Sequence, residues 1–277
     1  MNVGVDLGKD SNKISSSKGN FLFNNLIAKG VDRIGDKEYS LDNIDITIDD
    51  TRYLVGKAAG VSPMRFKAFS KNHINEYTKV FLLSALSLLD DEVFRVIIGL
   101  PFADYKNQRK ELATTLRGDY TIQCSGRNRR IIVKDIAVFP QCLGALVSIS
   151  PKGVAGMIGI GYKDFGFCLW KDDEPDISSS WSYPIGIHEA FKAALPEITR
   201  EFDYTIEDIR PEMVPVKHYD ELKQYYMQLL NKHWHRIDFP LYSYGGGSYW
   251  VNIGKQIVEP VYADAIGFRM VANLKWP

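Results

Sequence analysis

The sequence predicts a mixed α/β protein built as two lobes. Its 277 residues allow one large domain or two domains of ordinary size. Along the chain, a meander of short strands is followed by helix, strand and helix, and then by a second hairpin with further helices. A strand meander followed by helices, occurring twice, indicates two α/β lobes.

The first lobe opens with a three-stranded meander. Residues 1–6 are typical of a short strand, which ends in a turn at Gly8. Residues 14–17 and 20–23 are expected to pair back on it, because Gly19 supplies the turn between them.

The remainder of the first lobe alternates helices and strands. Residues 76–89 predict a helix whose wide apolar face should be well buried. Residues 94–98 are mostly apolar, as in a strand that is covered on both faces. A polar helix is predicted at 103–117, and two short strands are predicted at 130–133 and 136–139. Pro140 is predicted to begin a short helix, since proline suits a first helical turn.

The second lobe begins with a hairpin across residues 157–170. A short helix is predicted at 189–195, where Pro196 should end it. A longer helix is predicted at 219–235, and a last one at 263–274.

These elements give the following division of the chain. Lobe I covers 1–147, with a small inserted subdomain at about 30–72. Lobe II covers 148–277, with an inserted subdomain at about 175–240. The final helix, at about 262–274, is expected to pack back on lobe I.

Net charge and cysteine placement indicate which partners and which cellular compartment to expect. The net charge is zero, so no whole-chain field attracts nucleic acid or a membrane surface. The three cysteines lack paired motif spacing, and Cys142 and Cys168 lie in apolar runs, as buried reduced thiols do. We therefore expect a cytoplasmic protein that binds neither a membrane nor nucleic acid directly.

The first candidate site is the stretch DLGKDSNK, which starts at Asp6. The turn at Gly8 lets backbone N–H groups face a phosphate. Asp6 can hold Mg²⁺ through water, and Lys13 can neutralise phosphate charge. The alternative is an ordinary hairpin turn with a solvated Lys–Asp pair.

The second candidate site is the hairpin GMIGIGYKDFGF, at residues 156–167. Its turn contains Gly161 and Tyr162, and a glycine backbone can lie close to an anion. Phosphate-binding hairpins of this form often carry a flanking carboxylate that holds a metal ion. Here the two flanking positions are Gly159 and Gly166.

Two further motifs are weaker when taken alone. Gln141, in VFPQCLGA, can orient a water through its amide, although a simple helix cap is the alternative. The run Gly245, Gly246 and Gly247 lets a flat ring lie against bare backbone, although a flexible loop is the alternative.

Taken in order, these motifs resemble the actin-like ATPase superfamily, and most closely its bacterial ParM-type plasmid-segregation actins and their archaeal relatives. The segments RVIIGLPFADYKNQRKEL (95–112) and YADAIGFRMVA (262–272) are similar to segments of those proteins. The resemblance spans nearly the whole chain and is weakest at 30–71 and 171–239. It implies a two-lobed actin-like (ribonuclease H-like) fold with ATP, or GTP, and Mg²⁺ in a cleft between the lobes.

The resemblance also implies roles for single residues. Asp6 matches the metal-side aspartate of the first phosphate loop, Gly8 lies in its turn, and Lys13 matches the phosphate lysine. Gln141 matches the residue that positions the attacking water. The remaining matches are Gly161 and Tyr162 in the second phosphate hairpin, and Gly245, Gly246 and Gly247 in the adenosine motif.

The chain departs from the family pattern in the second hairpin. Relatives commonly read Asp-Ile-Gly-Tyr-x-Thr-Thr-Asp there, whereas both acids are replaced by Gly159 and Gly166. Loss of one positioned polar group lowers a rate by about 10²–10³-fold. Asp164 is the candidate substitute, and restoring an aspartate at 159 is expected to raise the rate if the loop is otherwise intact.

Three functions follow from these residues. The first is a bacterial filament-forming protein that binds nucleotide, hydrolyses it slowly or poorly, and segregates plasmid DNA through a DNA-binding adaptor. The second is a hydrolysis-deficient scaffold or regulator of an active relative. A small-molecule kinase is disfavoured, because the sequence shows no clear catalytic base and is short for that group.

Overall fold

The chain forms two compact units, each of mixed α/β structure. The computed structural model describes residues 1–30, 43–60, 62–68, 74–172, 174–202, 209–234 and 236–277. The first unit comprises 1–100, 104–140 and 264–277. The second unit comprises 101–103 and 141–263.

The elements are numbered here in chain order. The strands are β1 (Asn2–Leu7), β2 (Ser11–Ser16), β3 (Gly19–Asn24), β4 (Ile27–Lys29), β5 (Asn43–Ile48), β6 (Thr51–Gly56), β7 (Val93–Leu100), β8 (Gly118–Cys124), β9 (Arg127–Pro140), β10 (Ala155–Ile160), β11 (Phe165–Lys171), β12 (Glu174–Tyr183), β13 (Leu241–Tyr244) and β14 (Lys255–Gln256). The helices are α1 (Lys57–Gly60), α2 (Thr78–Ser87), α3 (Phe102–Leu116), α4 (Leu143–Ile149), α5 (His188–Phe202), α6 (Val216–His233) and α7 (Ala263–Lys275).

One large sheet organises the first unit. Its strand order is β3-β2-β1-β7-β9-β8-β5-β6-β4. The meander β1–β2–β3 is antiparallel, whereas β1, β7 and β9 run parallel at the centre. Central parallel strands are covered on both faces, which accounts for their nearly continuous apolar sequences.

The two faces of β1 are covered by different helices. Val3 and Val5 share a buried cluster with Phe81 and Leu82 of α2. On the opposite face, the Gly4 position lies directly against the main chain of α7. The last helix of the chain therefore belongs to the first unit.

A five-stranded sheet organises the second unit, in the order β12-β11-β10-β13-β14. The hairpin β10–β11 is antiparallel, with Ile160 paired to Phe165 next to its turn. Phe165 stacks on Tyr226 of α6, with ring centroids 4.0 Å apart. On the other face, Met157 and Cys168 pack in a cluster that includes α4 residues.

Several predicted elements differ in extent from the structure. Where the sequence predicts separate strands at 130–133 and 136–139, one long strand, β9, is present, because it pairs with β8 in its first half and with β7 in its second. The strand β8 is missing from the prediction. Pro140 ends β9 rather than beginning a helix, and α4 starts three residues later.

The prediction that Pro196 ends a helix is wrong. Helix α5 continues through Pro196 to Phe202. Proline removes one helical hydrogen bond, but the apolar side chains of Ala190, Ala194 and Ile198 keep both halves packed on the same core.

The segments predicted as insertions are partly described. Within 30–72, β5 and β6 extend the large sheet, while residues 31–42, 61 and 69–72 lie outside the described residues. Within 175–240, strand β12 and helices α5 and α6 belong to the second unit, while residues 203–208 and 235 lie outside the described residues.

We predict that Gly4→Ala destabilises the first unit. A Cβ at this position would overlap the Ala265 carbonyl oxygen and lie 2.5 Å from the Arg269 backbone nitrogen, so α7 has to move away from β1. Overpacking of this kind costs about 1–3 kcal/mol. The midpoint of denaturant unfolding, followed by circular dichroism, measures the effect.

The matched control for this change is Gly60→Ala. A Cβ at Gly60 meets nothing within 4 Å, and Gly60 is the last residue of α1. The control should unfold at or slightly above the wild-type midpoint, since alanine favours helix over glycine. Equal midpoints for the two variants would contradict the close contact between β1 and α7.

Candidate functional site

The end of β1 carries a buried ion pair. Asp6 and Lys13 are direct cross-strand partners in the ladder between β1 and β2. The Lys13 Nζ donates a hydrogen bond to the Asp6 Oδ2 over 3.1 Å, and the two side chains are only 14% and 12% exposed. The pair is therefore mostly shielded from water, unlike the solvated pair of an ordinary hairpin turn.

Gly8 leaves room for the Lys13 ammonium group because it has no side chain. Its N–H donates to the Ser11 carbonyl oxygen over 3.2 Å, which closes the turn between β1 and β2. A Cβ at Gly8 would lie 2.8 Å from the Lys13 Nζ. The fold thus brings Asp6, Gly8 and Lys13 together at one strand end.

Asp6 offers a single carboxylate to a magnesium ion. Among the described residues, no group of three or more His, Cys, Asp and Glu side chains could bind a metal ion by itself. A single carboxylate such as that of Asp6 suits a Mg²⁺ ion that retains water and takes phosphate oxygens from a nucleotide. The residues fit Mg²⁺ bound together with nucleotide.

The hairpin turn between β10 and β11 is held by backbone hydrogen bonds. The Gly161 N–H donates to the Asp164 carbonyl oxygen over 2.8 Å. The Gly161 and Tyr162 carbonyl oxygens accept the N–H groups of Ile187 and His188, at 3.1 and 2.9 Å. The start of α5 therefore fixes the conformation of this turn.

The Tyr162 side chain packs within the second unit. Its ring lies 4.9 Å from the His188 ring and 5.9 Å from the Phe191 ring, measured between centroids. These contacts hold the Tyr162 ring against the start of α5. Asp164 adds negative charge to the hairpin: burial raises the pKa of Tyr226, and the Asp164 carboxylate is a smaller cause of the same shift.

The three glycines after β13 have different surroundings. Gly245 has a φ of +89°, and a Cβ there would overlap the Ile160 carbonyl oxygen. A Cβ at Gly247 would lie 2.5 Å from the Ile160 Cγ2, whereas Gly246 is exposed with nothing within 4 Å. Two glycines thus seat the motif beside the end of β10, and Gly246 presents bare backbone outward.

The glycine run is also ordered. Residues Gly246–Tyr249 form a 3₁₀ helix, and the Ser248 Oγ donates to the Gly245 carbonyl oxygen over 2.7 Å. The run is therefore a hydrogen-bonded turn of helix. Gly161, Gly245 and Gly247 are gathered around the end of β10 in the second unit.

Gln141 precedes a strained residue. It lies in a turn between β9 and α4 and is half-buried. The next residue, Cys142, has a φ of +71°, which residues other than glycine rarely adopt. Its N–H donates to the Tyr244 hydroxyl oxygen over 2.9 Å, and that hydroxyl lies 3.3 Å from the Cys142 Sγ.

Tyr244 also fills the position next to Gly159. A Cβ at Gly159 would lie 2.7 Å from three atoms of the Tyr244 side chain, including its hydroxyl oxygen. A Cβ at Gly166, which pairs with Gly159, would lie 3.1 Å from the Cys142 Sγ. The space beside the absent hairpin acids is therefore taken by Tyr244 and Cys142.

No local motif in the sequence predicts a role for Tyr244 or Cys142 at this site. The one sequence feature that points to them is the pair of glycines in the hairpin. These glycines occupy positions where relatives carry acids, so they leave room that another side chain has to fill. Which side chain fills that room depends on contacts across about 100 positions of the chain.

The family of the chain follows from its N-terminal half. A family model described as the actin-like proteins N terminal domain matches residues 4–144, slightly more than half of the chain. The chain belongs to the actin-like proteins. The resemblance deduced from the ordered motifs is confirmed, and so is the mixed α/β two-lobed fold class.

Solved structures show the same fold over the whole length of this actin-like protein. The archaeal actin homolog Ta0583, also solved in complex with ADP, is 18% identical with a TM-score of 0.81, covering 99% of both chains. A non-polymerisable quadruple mutant of pCBH ParM is 21% identical with a TM-score of 0.81, again covering 99% of both. The Alp12 filament structure is 17% identical with a TM-score of 0.73, covering 100% of this chain and 99% of that one.

At these identities the structural likeness concerns the fold alone. No curated protein matches the sequence of this actin-like protein. Among the described residues, no helix has the length and apolar character needed to cross a membrane.

We predict that Gly159→Asp destabilises the protein instead of restoring a lost site. The new carboxylate would be buried against the Tyr244 ring, and displacing that ring breaks its hydrogen bond with Cys142. A buried polar group without a partner costs about 1–3 kcal/mol, and a charged one costs more. Thermal and denaturant unfolding midpoints measure the loss.

The matched control is Gly246→Asp in the same unit. Gly246 is exposed, and a Cβ there meets nothing within 4 Å, so its midpoint should stay near that of wild type. A Gly159→Asp protein as stable as this control would mean that the Tyr244 side chain moves aside at little cost in stability.

Proposed function

We propose that this actin-like protein binds ATP, or GTP, with Mg²⁺ and assembles into filaments that serve plasmid DNA segregation, with slow or impaired hydrolysis. The observation that carries the proposal is the gathering of the predicted phosphate residues within each unit. Asp6, Gly8 and Lys13 converge at the end of β1. Gly161 and the glycine run converge at the end of β10.

Each group of residues has a specific task in binding nucleotide. Lys13, already held beside Gly8 by Asp6, neutralises phosphate charge. Asp6 holds Mg²⁺ through water, and the ion, when bound, offsets the charge of the phosphate oxygens. The backbone of Gly161 and Tyr162 approaches phosphate, and Gly246 offers bare backbone to the nucleoside.

Hydrolysis is the weaker part of this activity. Gln141 is the proposed water-orienting residue, and Asp164 is the proposed substitute carboxylate. Gly159 and Gly166 supply no carboxylate, and Tyr244 and Cys142 fill the space beside them. Loss of a positioned group lowers a rate by about 10²–10³-fold, which supports binding with little turnover.

Self-assembly is proposed from the similar structures. One of them is a filament, and another is described as a non-polymerisable mutant of a ParM. The proposed partners are further copies of this chain and a DNA-binding adaptor protein that couples the filament to a plasmid. We propose a cytoplasmic location, which is where such filaments would meet plasmid DNA.

A second function is favoured by the hairpin itself. The glycines at 159 and 166, and the Tyr244 side chain packed beside them, support a protein that has lost turnover permanently. Such a protein would act as a scaffold or regulator of an active actin-like partner. A measurable rate of phosphate release by the purified chain excludes this function.

We predict that Lys13→Met weakens ATP–Mg²⁺ binding by about tenfold or more, because a hydrogen bond to a charged group contributes about 1.5–3 kcal/mol. Isothermal titration calorimetry measures the affinity. The matched control is Lys18→Met, which removes an exposed lysine from the following turn and should bind like wild type. Equal affinities for all three proteins would remove Lys13 from the site.

We predict nucleotide-dependent polymer in a high-speed pelleting assay. The purified protein is spun without nucleotide, with ATP–Mg²⁺, and with a non-hydrolysable ATP analogue. Polymer that forms with ATP and later disassembles indicates a working hydrolysis cycle, whereas polymer that persists equally with both nucleotides indicates binding without turnover. Absence of a pellet at high protein concentration in every condition contradicts filament assembly and favours the scaffold.

A further inference from the structure

The contact between Tyr244 and Cys142 sits beside the residue that the proposed function uses for water orientation. Cys142 directly follows Gln141 in the chain, so the Cys142 N–H belongs to the planar peptide group that joins the two residues, and a hydrogen bond to it fixes the orientation of that group. Both Cys142 and Tyr244 are buried, at 2% and 8% exposure. Gln141, Cys142, Tyr244 and Gly159 all belong to the second unit.

Cys142 needs an external restraint to keep its conformation. Its φ of +71° and ψ of −33° lie in a region that residues with a side chain rarely occupy. Such conformations persist where the surroundings fix them, and they cluster at functional sites. Here the Cys142 N–H is bound by the Tyr244 hydroxyl, and its carbonyl oxygen accepts the Leu146 N–H of α4 over 3.0 Å.

The two hairpin glycines make this restraint sterically feasible. A side chain at Gly159 would collide with the Tyr244 ring and hydroxyl. A Cβ at Gly166 would lie 3.1 Å from the Cys142 Sγ, which is tighter than ordinary contact. The glycines at 159 and 166 and the side chains of Tyr244 and Cys142 therefore fit together in one packing arrangement.

We propose that Tyr244 is a positioning residue for Gln141, acting through its hydroxyl. The hydroxyl fixes the Cys142 amide, the amide fixes the turn, and the turn aims the Gln141 side chain. This inference rests on the proposed nucleotide site. In the reaction, a water oxygen bonds to the γ-phosphorus of ATP as the bond to the ADP oxygen breaks, giving ADP, phosphate and a proton.

The test is Tyr244→Phe, which removes the hydroxyl and keeps the ring. Single-turnover phosphate release from ATP–Mg²⁺ should fall by about 10–100-fold, as small misplacements of a positioned group cause. The dissociation constant for ATP–Mg²⁺ should stay unchanged. Tyr242→Phe, two residues earlier on β13, is the matched control and should release phosphate at the wild-type rate.

A second arm separates positioning from general damage to the fold. Gln141→Ala should lower the rate by itself, and adding Tyr244→Phe to it should cause no further loss, because both act through the same side chain. Independent, multiplying losses would overturn the proposal. The unfolding midpoints of all variants are recorded, so that a loss of fold is recognised.

The remaining outcomes are also distinct. A wild-type protein that fails to bind ATP–Mg²⁺ contradicts the proposed function as well as this inference. A wild-type protein that binds it but releases no phosphate leaves the binding function intact and overturns the role of Tyr244. An unchanged rate in Tyr244→Phe overturns it too.

One measurement needs no variant. Amide hydrogen exchange of the wild-type protein, followed by NMR, should show the Cys142 N–H strongly protected, since the buried Tyr244 hydroxyl accepts it. Fast exchange at Cys142 would overturn the restraint on which the proposal depends, even if Tyr244→Phe does not fold.

Discussion

Close approach of main chain to main chain at glycine positions is the constraint on which the candidate residues of each unit depend. In the first unit, Gly4 lets α7 lie directly on β1, the strand that carries Asp6. In the second, Gly245 brings the glycine run against the Ile160 carbonyl, and Gly186 brings the start of α5 against the Tyr162 carbonyl. At each of these contacts, a residue with a side chain would collide with the neighbouring main chain.

The candidate groups are held in place by their neighbours in the fold. Lys13 is not a mobile surface lysine, because Asp6 accepts its hydrogen bond and Gly8 leaves room for its ammonium group. The hairpin turn is held by three backbone hydrogen bonds of 2.8–3.1 Å. Groups that are already in place lose little conformational entropy on binding, which favours affinity for a charged ligand.

The sequence predicts the fold class and the identity of the motifs better than it predicts their contacts. Order along the chain was enough to find DLGKDSNK, the hairpin and the glycine run, because each motif is local and uses turn chemistry. The missing strand β8 and the uninterrupted α5 depend on tertiary packing, which overrides local signals such as Pro196. The role of Tyr244 could not be predicted from local motifs, since its partner Cys142 lies 102 positions away. A glycine in the sequence does not indicate which side chain will occupy the space beside it.

The position of α7 has a consequence for how the protein is made. The Asn2 side chain donates a hydrogen bond to the Trp276 carbonyl oxygen, 274 positions later, and Gly4 meets α7 at a comparable separation. During synthesis, β1 therefore stays uncovered on its α7 face until α7, which begins at Ala263, has been made. Most residues of the second unit lie between β1 and α7 in the chain, so they are available to fold before the contact between β1 and α7 can form.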